Sequence, residues 1–174
     1  LSIGTKAYVY NELNRMSQVK SAATVLMNYV YNASGEQVRK FVGNTSTYSL
    51  YDEAGHWIGD YDSTGTPTQQ VIWLGDLPVG LLANTTTGQA LHYIEADALG
   101  TPRVVIDPTR DVAVWRWDLG SEAFGESEPE QDPDGDNTLF VLDLRYPGQQ
   151  YDSATGFNYK YFRDYDPSVG RYVQ

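Results

Sequence analysis

The residues of this 174-residue chain with the clearest chemical potential are carboxylates. Asp132-Pro133-Asp134-Gly135-Asp136 sets three aspartates at alternate positions, and with Asp143 they fall at places 1, 3, 5 and 12 of a calcium loop. Such a loop converges oxygen ligands from a short run of chain onto one cation. Its glycine, however, falls at place 4 instead of 6, the flanks read as strand, and Asp143 sits among Val141, Leu142 and Leu144. A solvated acidic turn therefore competes with calcium at Asp132, Asp134 and Asp136. Other chemistries are poorly supplied. His56 and His92 lie far apart in the chain, and no Gly-x-Ser-x-Gly turn exposes a nucleophile. The absence of cysteine removes disulfides, thiolate nucleophiles and Cys/His metal sites. No cofactor is expected. The 14 tyrosines and 4 tryptophans could offer a stacking face to carbohydrate, but their recurrence at strand period favours packing across strands.

The elements that must carry these residues follow from a repeat. Tyr8-Val9-Tyr10 precedes Asn11, Tyr29-Val30-Tyr31 precedes Asn32, Tyr48-Ser49-Leu50-Tyr51 precedes Asp52, and Tyr61 precedes Asp62. Tyr10, Tyr31 and Tyr51 recur at intervals of about 20 residues, the length of two short strands and two turns. Tyrosines two apart share one face of a strand, and the Asn or Asp that follows opens a turn. Gly35, Gly55 and Gly65 each stand three residues after that Asx, the type I turn preference. One segment argues otherwise: Val19, Ala22, Ala23, Leu26, Met27 and Val30 recur at helical spacing. Its position between two repeat copies and its β-favouring end predict a hairpin there, with a helix as the alternative.

Further along, 70–74 and 77–82 read as buried strands around the two-residue turn Gly75-Asp76. Residues 92–95, 103–106 and 112–117 are strands as well. Eight acids without a cation mark 118–137 as a solvated, mobile insertion. A strand is expected over 138–145, then a turn at Tyr146-Pro147-Gly148.

A net charge of −11 and the lack of any Lys or Arg between Lys40 and Arg103 exclude a nucleic-acid surface. Apolar runs such as Val71-Ile72-Trp73-Leu74 fall far short of the roughly 20 residues of a membrane span. The chain starts without Met or a signal peptide, so it reads as an excised piece whose targeting is not visible.

The end of the chain is the most specific stretch. Arg145-Tyr146-Pro147-Gly148-Gln149-Gln150-Tyr151-Asp152-Ser153-Ala154-Thr155-Gly156, with Tyr161-Phe162-Arg163-Asp164-Tyr165-Asp166-Pro167 and Gly170-Arg171-Tyr172, closely resembles the Rhs-repeat-associated core of the YD-repeat proteins. Tyr10-Asn11-Glu12-Leu13-Asn14-Arg15 looks like the family repeat, and Leu99-Gly100-Thr101-Pro102-Arg103 like the entry to the core. The resemblance implies an all-β fold of consecutive antiparallel hairpins forming a curved sheet, part of a hollow β-shell. It places repeat hairpins over 1–90 and the core over 91–174, with the acidic loop 118–137 inside it. It implies a structural role: a shell segment of a bacterial polymorphic toxin or secreted surface protein, exported or at the cell surface, enclosing and presenting a C-terminal toxin domain. Its partners would be that domain and the remaining repeats. The rival reading is a carbohydrate- or cell-surface-binding module.

Relatives continue past the last Gly-Arg-Tyr into a Ser-Asp-Pro-Ile-Gly-Leu type segment at which the core cuts its own chain. The sequence stops at Gln174, before any such segment. Arg163 and Asp164 resemble the Arg-Asp that takes part in that cut, and the second aspartate would come from the Asp-Pro. The implied inventory is half of an autoproteolytic site; the plainer reading is an ordinary ion pair or turn contact. Ala98 stands where many relatives have His, so histidine chemistry there is not expected. Finally, at about 16 Å² per sheet residue the whole chain makes roughly 2,800 Å² of wall. That equals a sphere of about 15 Å radius, too small for a 100-residue cargo of about 17 Å radius. The chain is expected to be one segment of a wall whose open edges favour self-association.

Overall fold

A computed structural model of the chain describes residues 2–3, 5–85, 88–118, 120 and 123–173. Its strands are β1 (Ser2–Ile3), β2 (Lys6–Tyr10), β3 (Met16–Ser21), β4 (Thr24–Tyr31), β5 (Gln37–Val42), β6 (Thr45–Tyr51), β7 (Trp57–Tyr61) and β8 (Pro67–Leu74). They continue as β9 (Leu77–Thr85), β10 (Gly88–Ala96), β11 (Pro102–Asp107), β12 (Val112–Arg116), β13 (Gln150–Asp152), β14 (Phe157–Lys160), β15 (Arg163–Asp166) and β16 (Arg171–Tyr172). β1 to β12 form one antiparallel sheet in sequence order, and β13 to β16 form a second. The described residues contain no helix, so none is long and apolar enough to cross a membrane.

Local chemistry accounts for the first sheet. At Asn11, Asn32, Asp52, Asp62 and Asp97 the same turn recurs. The Asx N–H donates to the C=O four residues on, at 2.8–3.0 Å, and the Asx C=O accepts from the N–H three residues on. The side-chain oxygen accepts from the N–H four residues on as well, from Arg15, Glu36, His56, Thr66 and Thr101. The third residue after the Asx must be left-handed, which glycine permits; in the first copy Asn14 takes that place at φ 56°. Ladder register slips immediately before each turn, between Val9/Tyr10, Val30/Tyr31, Leu50/Tyr51, Asp60/Tyr61 and Glu95/Ala96. A bulge adds twist and bend to its strand, and repeating it along one rim curls the whole sheet.

The disputed segment 16–31 is the hairpin β3–β4. Ala22 turns it at φ 51°, and a register shift between Val19 and Lys20 moves the apolar positions out of step. Two strands joined in this way imitate a helical spacing.

The inner face holds two apolar clusters. Tyr8, Met16, Val19 and Tyr29 pack against Phe157 of the second sheet, whose ring stacks on Tyr8 at 5.0 Å. Trp57, Leu81, Val105, Trp115 and Trp117 pack against Leu142 and Leu144. The end of the chain therefore covers the wall from inside.

Two expectations are corrected here. Residues 138–145 are not a ladder strand; apart from one bridge, Leu144 with Gln150, they run as extended chain. Leu142 and Leu144 are buried while Leu139 and Val141 are exposed, so the period of 2 is real. It arises because the segment lays one face on the wall, touching the edge of the second sheet only near Leu144. Nor is the described part of 118–137 a free insertion; Leu119, Ser121 and Glu122 lie outside the described residues. Glu130 pairs with Arg116 through both backbone bonds along the edge of β12, and Trp117 Nε1 donates to the Ser127 C=O at 2.8 Å. The cations missing from the acidic run come from Arg110 and Arg116.

Candidate functional site

Strand alternation separates the two residues singled out at the end of the sequence. On β15, Asp164 and Asp166 point inward and are each 5% exposed. Arg163 points outward, its guanidinium carbon 4.0 Å from the centre of the Tyr172 ring. Arg163 and Asp164 are thus on opposite faces and form no ion pair. Asp166 is engaged in a turn, accepting from the Ser168 N–H at 3.0 Å and its hydroxyl at 2.6 Å.

Asp164 lies opposite Tyr159 in the β14–β15 ladder, on the face turned to the wall. Asp152 of β13 stands opposite Phe157 on that same face and is 8% exposed. Burial pushes the Asp164 carboxyl up to about 7, Asp152 adds to the rise, and Arg15 opposes it. The surrounding phenols respond in turn. Burial first, then Asp164, pushes Tyr10 up to about 12. Burial also raises Tyr8, Tyr29, Tyr31 and Tyr159, with Asp164 contributing to each. Beside this site a cavity of about 300 Å³ is lined by Asn11, Arg15, Tyr29, Tyr31 and Gly35.

A carboxyl that keeps its proton near neutral pH next to a second buried carboxyl is equipped for general acid–base work. A carboxyl kept protonated by burial, beside a carboxylate that activates water, is the chemical basis of aspartate-type peptide hydrolysis. Sequence reasoning singled out Asp164 and missed both Asp152 and Arg15. Asp152 was visible only within the stretch that resembles the Rhs-associated core, and Arg15 lies about 150 residues from Asp164; no local signal joins them.

The three aspartates considered for calcium do meet, with one ligand atom from each within 4.8 Å of the others. A guanidinium already serves them. Arg110 Nη1 lies 2.6 Å from Asp134 Oδ2 and 2.8 Å from Asp136 Oδ2, and its Nε donates to Asp107 Oδ2 at 2.7 Å. Asp132 accepts the N–H groups of Asp136 and Asn137. Asp143 stands apart, and burial raises its carboxyl. Titration with millimolar calcium in a calorimeter is expected to give no saturable heat, because a bound ion would have to displace Arg110. A one-site isotherm would overturn this.

The aromatic face considered for carbohydrate is largely engaged in packing: Tyr8, Tyr29, Trp57, Trp115, Trp117 and Tyr159 are all at most 6% exposed.

No protein-family model matches the chain. The protein YibJ of Escherichia coli K12 is 31% identical over 88 residues, 51% of this chain and 35% of that protein. The double-stranded DNA deaminase toxin A of Burkholderia cenocepacia H111 is 34% identical over 85 residues, 48% of this chain and 6% of that protein. The chain spans about a third of the length of the first of these curated relatives and a small fraction of the second. Among solved structures, a Tc holotoxin pore of Photorhabdus luminescens with a point mutation in TccC3 matches 99% of this chain at TM-score 0.62 and 16% identity. TcdB2-TccC3 without its hypervariable C-terminal region matches at TM-score 0.61 and 18% identity. In both, the match takes up 9% of the larger chain. The chain has the all-β, antiparallel fold of a stretch of those toxin-complex chains.

Proposed function

We propose that the chain is a wall segment of a YD-repeat shell in a bacterial toxin or secreted surface protein, and that the parent shell encloses and presents a C-terminal toxin domain. The observation that carries the reading is a sheet of twelve sequential strands, curled by a bulge at each Asx turn, with the chain's own end packed on its inner face. A sheet built by repetition closes a large surface at low topological cost, and one segment of it holds no cargo alone. The likeness to toxin-complex chains and to a deaminase toxin supports this reading, as does the resemblance of 145–172 to the Rhs-associated core. Export from the producing cell and partnership with a toxin domain follow from it. So does pairing of the open edge of β1 with further repeats.

The second part of the proposal is self-cleavage at the Asp164 site. One carboxylate takes a proton from water as the oxygen attacks the scissile carbonyl. The protonated carboxyl then gives its proton to the departing amine, and both groups end the cycle with their protons exchanged. The test is a chain continued through a Ser-Asp-Pro-Ile-Gly-Leu segment and an unrelated tail. It is expected to cut itself at that segment over hours to days, and Asp164→Asn is expected to lower the rate at least about a hundredfold. A wild-type extended chain that stays whole would end the cleavage reading; a soluble parent protein with no enclosed domain by electron microscopy would end the shell reading.

A further inference from the structure

Sequence adjacency suggests that the guanidinium serving Asp164 is Arg163, yet Arg163 faces away. Resting on the aspartate-pair reading above, we infer that Arg15 is the positioning residue of the Asp164 site. It seats the β14–β15 turn on the wall and brings to Asp164 the positive charge that Arg163 does not.

Arg15 ends the first Asx turn, and its side chain crosses to the second. Its Nη1 donates to the Gly35 C=O at 2.6 Å and to the Tyr161 C=O at 2.8 Å. Its guanidinium carbon lies 4.3 Å from the centre of the Phe162 ring and 5.5 Å from that of Tyr31. One planar group thus ties a wall turn to the turn that leads into β15. The fit is close, because a Cβ at Gly35 would overlap the guanidinium. Tyr161, held at φ 53°, adds a second tie by donating its hydroxyl to the Ser34 C=O at 2.6 Å. The Gln37 N–H donates to Tyr159 Oη at 2.9 Å, a third.

Asp164 follows that turn by three residues. Among the described residues, the titratable groups that act on it or feel it include Asp152 from β13, Tyr159 from β14, Tyr8 and Tyr10 from β2, and Tyr29 and Tyr31 from β4. Asp166 neighbours it on its own strand. Each of these is a carboxyl or a phenol, and Arg15 lowers the Asp164 value against them. An aspartate pair works only if one member can ionise, and a fixed guanidinium favours that ionised form. Lysine would bring the charge without the plane that lies over the Phe162 ring.

The test is a carbon-13 carboxyl titration of Asp164 by NMR, with amide exchange at Tyr161 and Phe162, in the chain as it stands. Arg15→Gln is expected to raise the Asp164 midpoint, which starts at about 7, by about half a unit or more, the effect of losing one nearby opposite charge. Arg163→Gln is expected to leave it in place. Arg15→Lys is expected to keep the midpoint and to speed exchange at the two amides about tenfold. An unmoved midpoint in Arg15→Gln, or an equal shift in Arg163→Gln, would overturn the inference. If Arg15→Gln does not fold, unchanged amide exchange in Arg15→Lys overturns it. None of these readouts involves cleavage, so an extended chain that never cuts itself would end the aspartate-pair reading without touching this one.

Discussion

Asp164→Asn is expected to make the chain more stable at neutral pH, although it removes the central group of the candidate site. Burial and Asp152 hold the Asp164 carboxyl at about 7 in the folded chain, against 3.8 for the free side chain. Between those values the folded state keeps a proton that the unfolded state has lost. Stability changes with pH as the protons bound unfolded minus those bound folded, so it falls as pH rises through this window and levels off above it. The whole effect is on the order of 4 kcal/mol. Asparagine has the same shape and no charge to bury, so the variant escapes the loss. Urea unfolding at pH 4.5, 6, 7.5 and 8.5 measures it. The wild type is expected to weaken along the series more steeply than the variant, which should lead by a few kcal/mol at the top. The raised values of Asp143 and His56 also make stability fall as pH rises over part of this range, which is why the difference between the two proteins is the quantity to read. The depressed carboxyls of Asp52, Asp97 and Asp107 act at lower pH, where stability is lost as pH falls. Parallel pH profiles for the two proteins would mean that Asp164 is not held protonated by its surroundings.

The largest loss of stability is expected from Trp117→Ala. Trp117 is 1% exposed and joins the edge of the wall to the segment that covers it. Its ring centre lies 5.5 Å from that of Tyr146, the Arg145 guanidinium carbon is 5.2 Å from it, and its N–H holds the Ser127 C=O. Truncation removes a large buried ring from a site whose walls are strands and cannot collapse freely, which costs about 4 kcal/mol. The Ser127 carbonyl also loses its donor. Guanidinium unfolding should show the loss, and amide exchange should show 125–131 and 142–146 opening before β2 to β6. Leu139→Ala, at a position 68% exposed, is the control and should change stability by less than about 0.5 kcal/mol. A Trp117→Ala chain within about 1 kcal/mol of wild type would mean that the cover is held elsewhere.

These two residues show where sequence reading succeeds and where it stops. The hairpins of the wall were legible because every part of the Asx turn lies within five residues: the Asx, the left-handed position and the N–H groups that close it. Even the copy without glycine, Asn11 to Asn14, obeys the rule through an asparagine. Residues 138–145 were misread because alternation reports that one face is buried, not whether the backbone pairs. The pairing of the acidic run was not legible because its partners, Arg110 and Arg116, lie outside it and reach it only after the chain folds back.

The amino-acid sequence by itself determined the unit, a tyrosine-bearing hairpin closed by an Asx turn, since it depends on contacts between residues close in the chain. Only the tertiary structure decided what meets on the inner face. There Arg15, from near the start of the chain, acts on Asp164 beside Asp152 of the same small sheet, Arg163 is excluded, and Arg110 stands among the aspartates of the acidic run. The physical reason is that strand alternation fixes the face a side chain takes, whereas burial and charge act through space. A carboxyl acquires its unusual affinity for a proton only when the folded chain has closed over it.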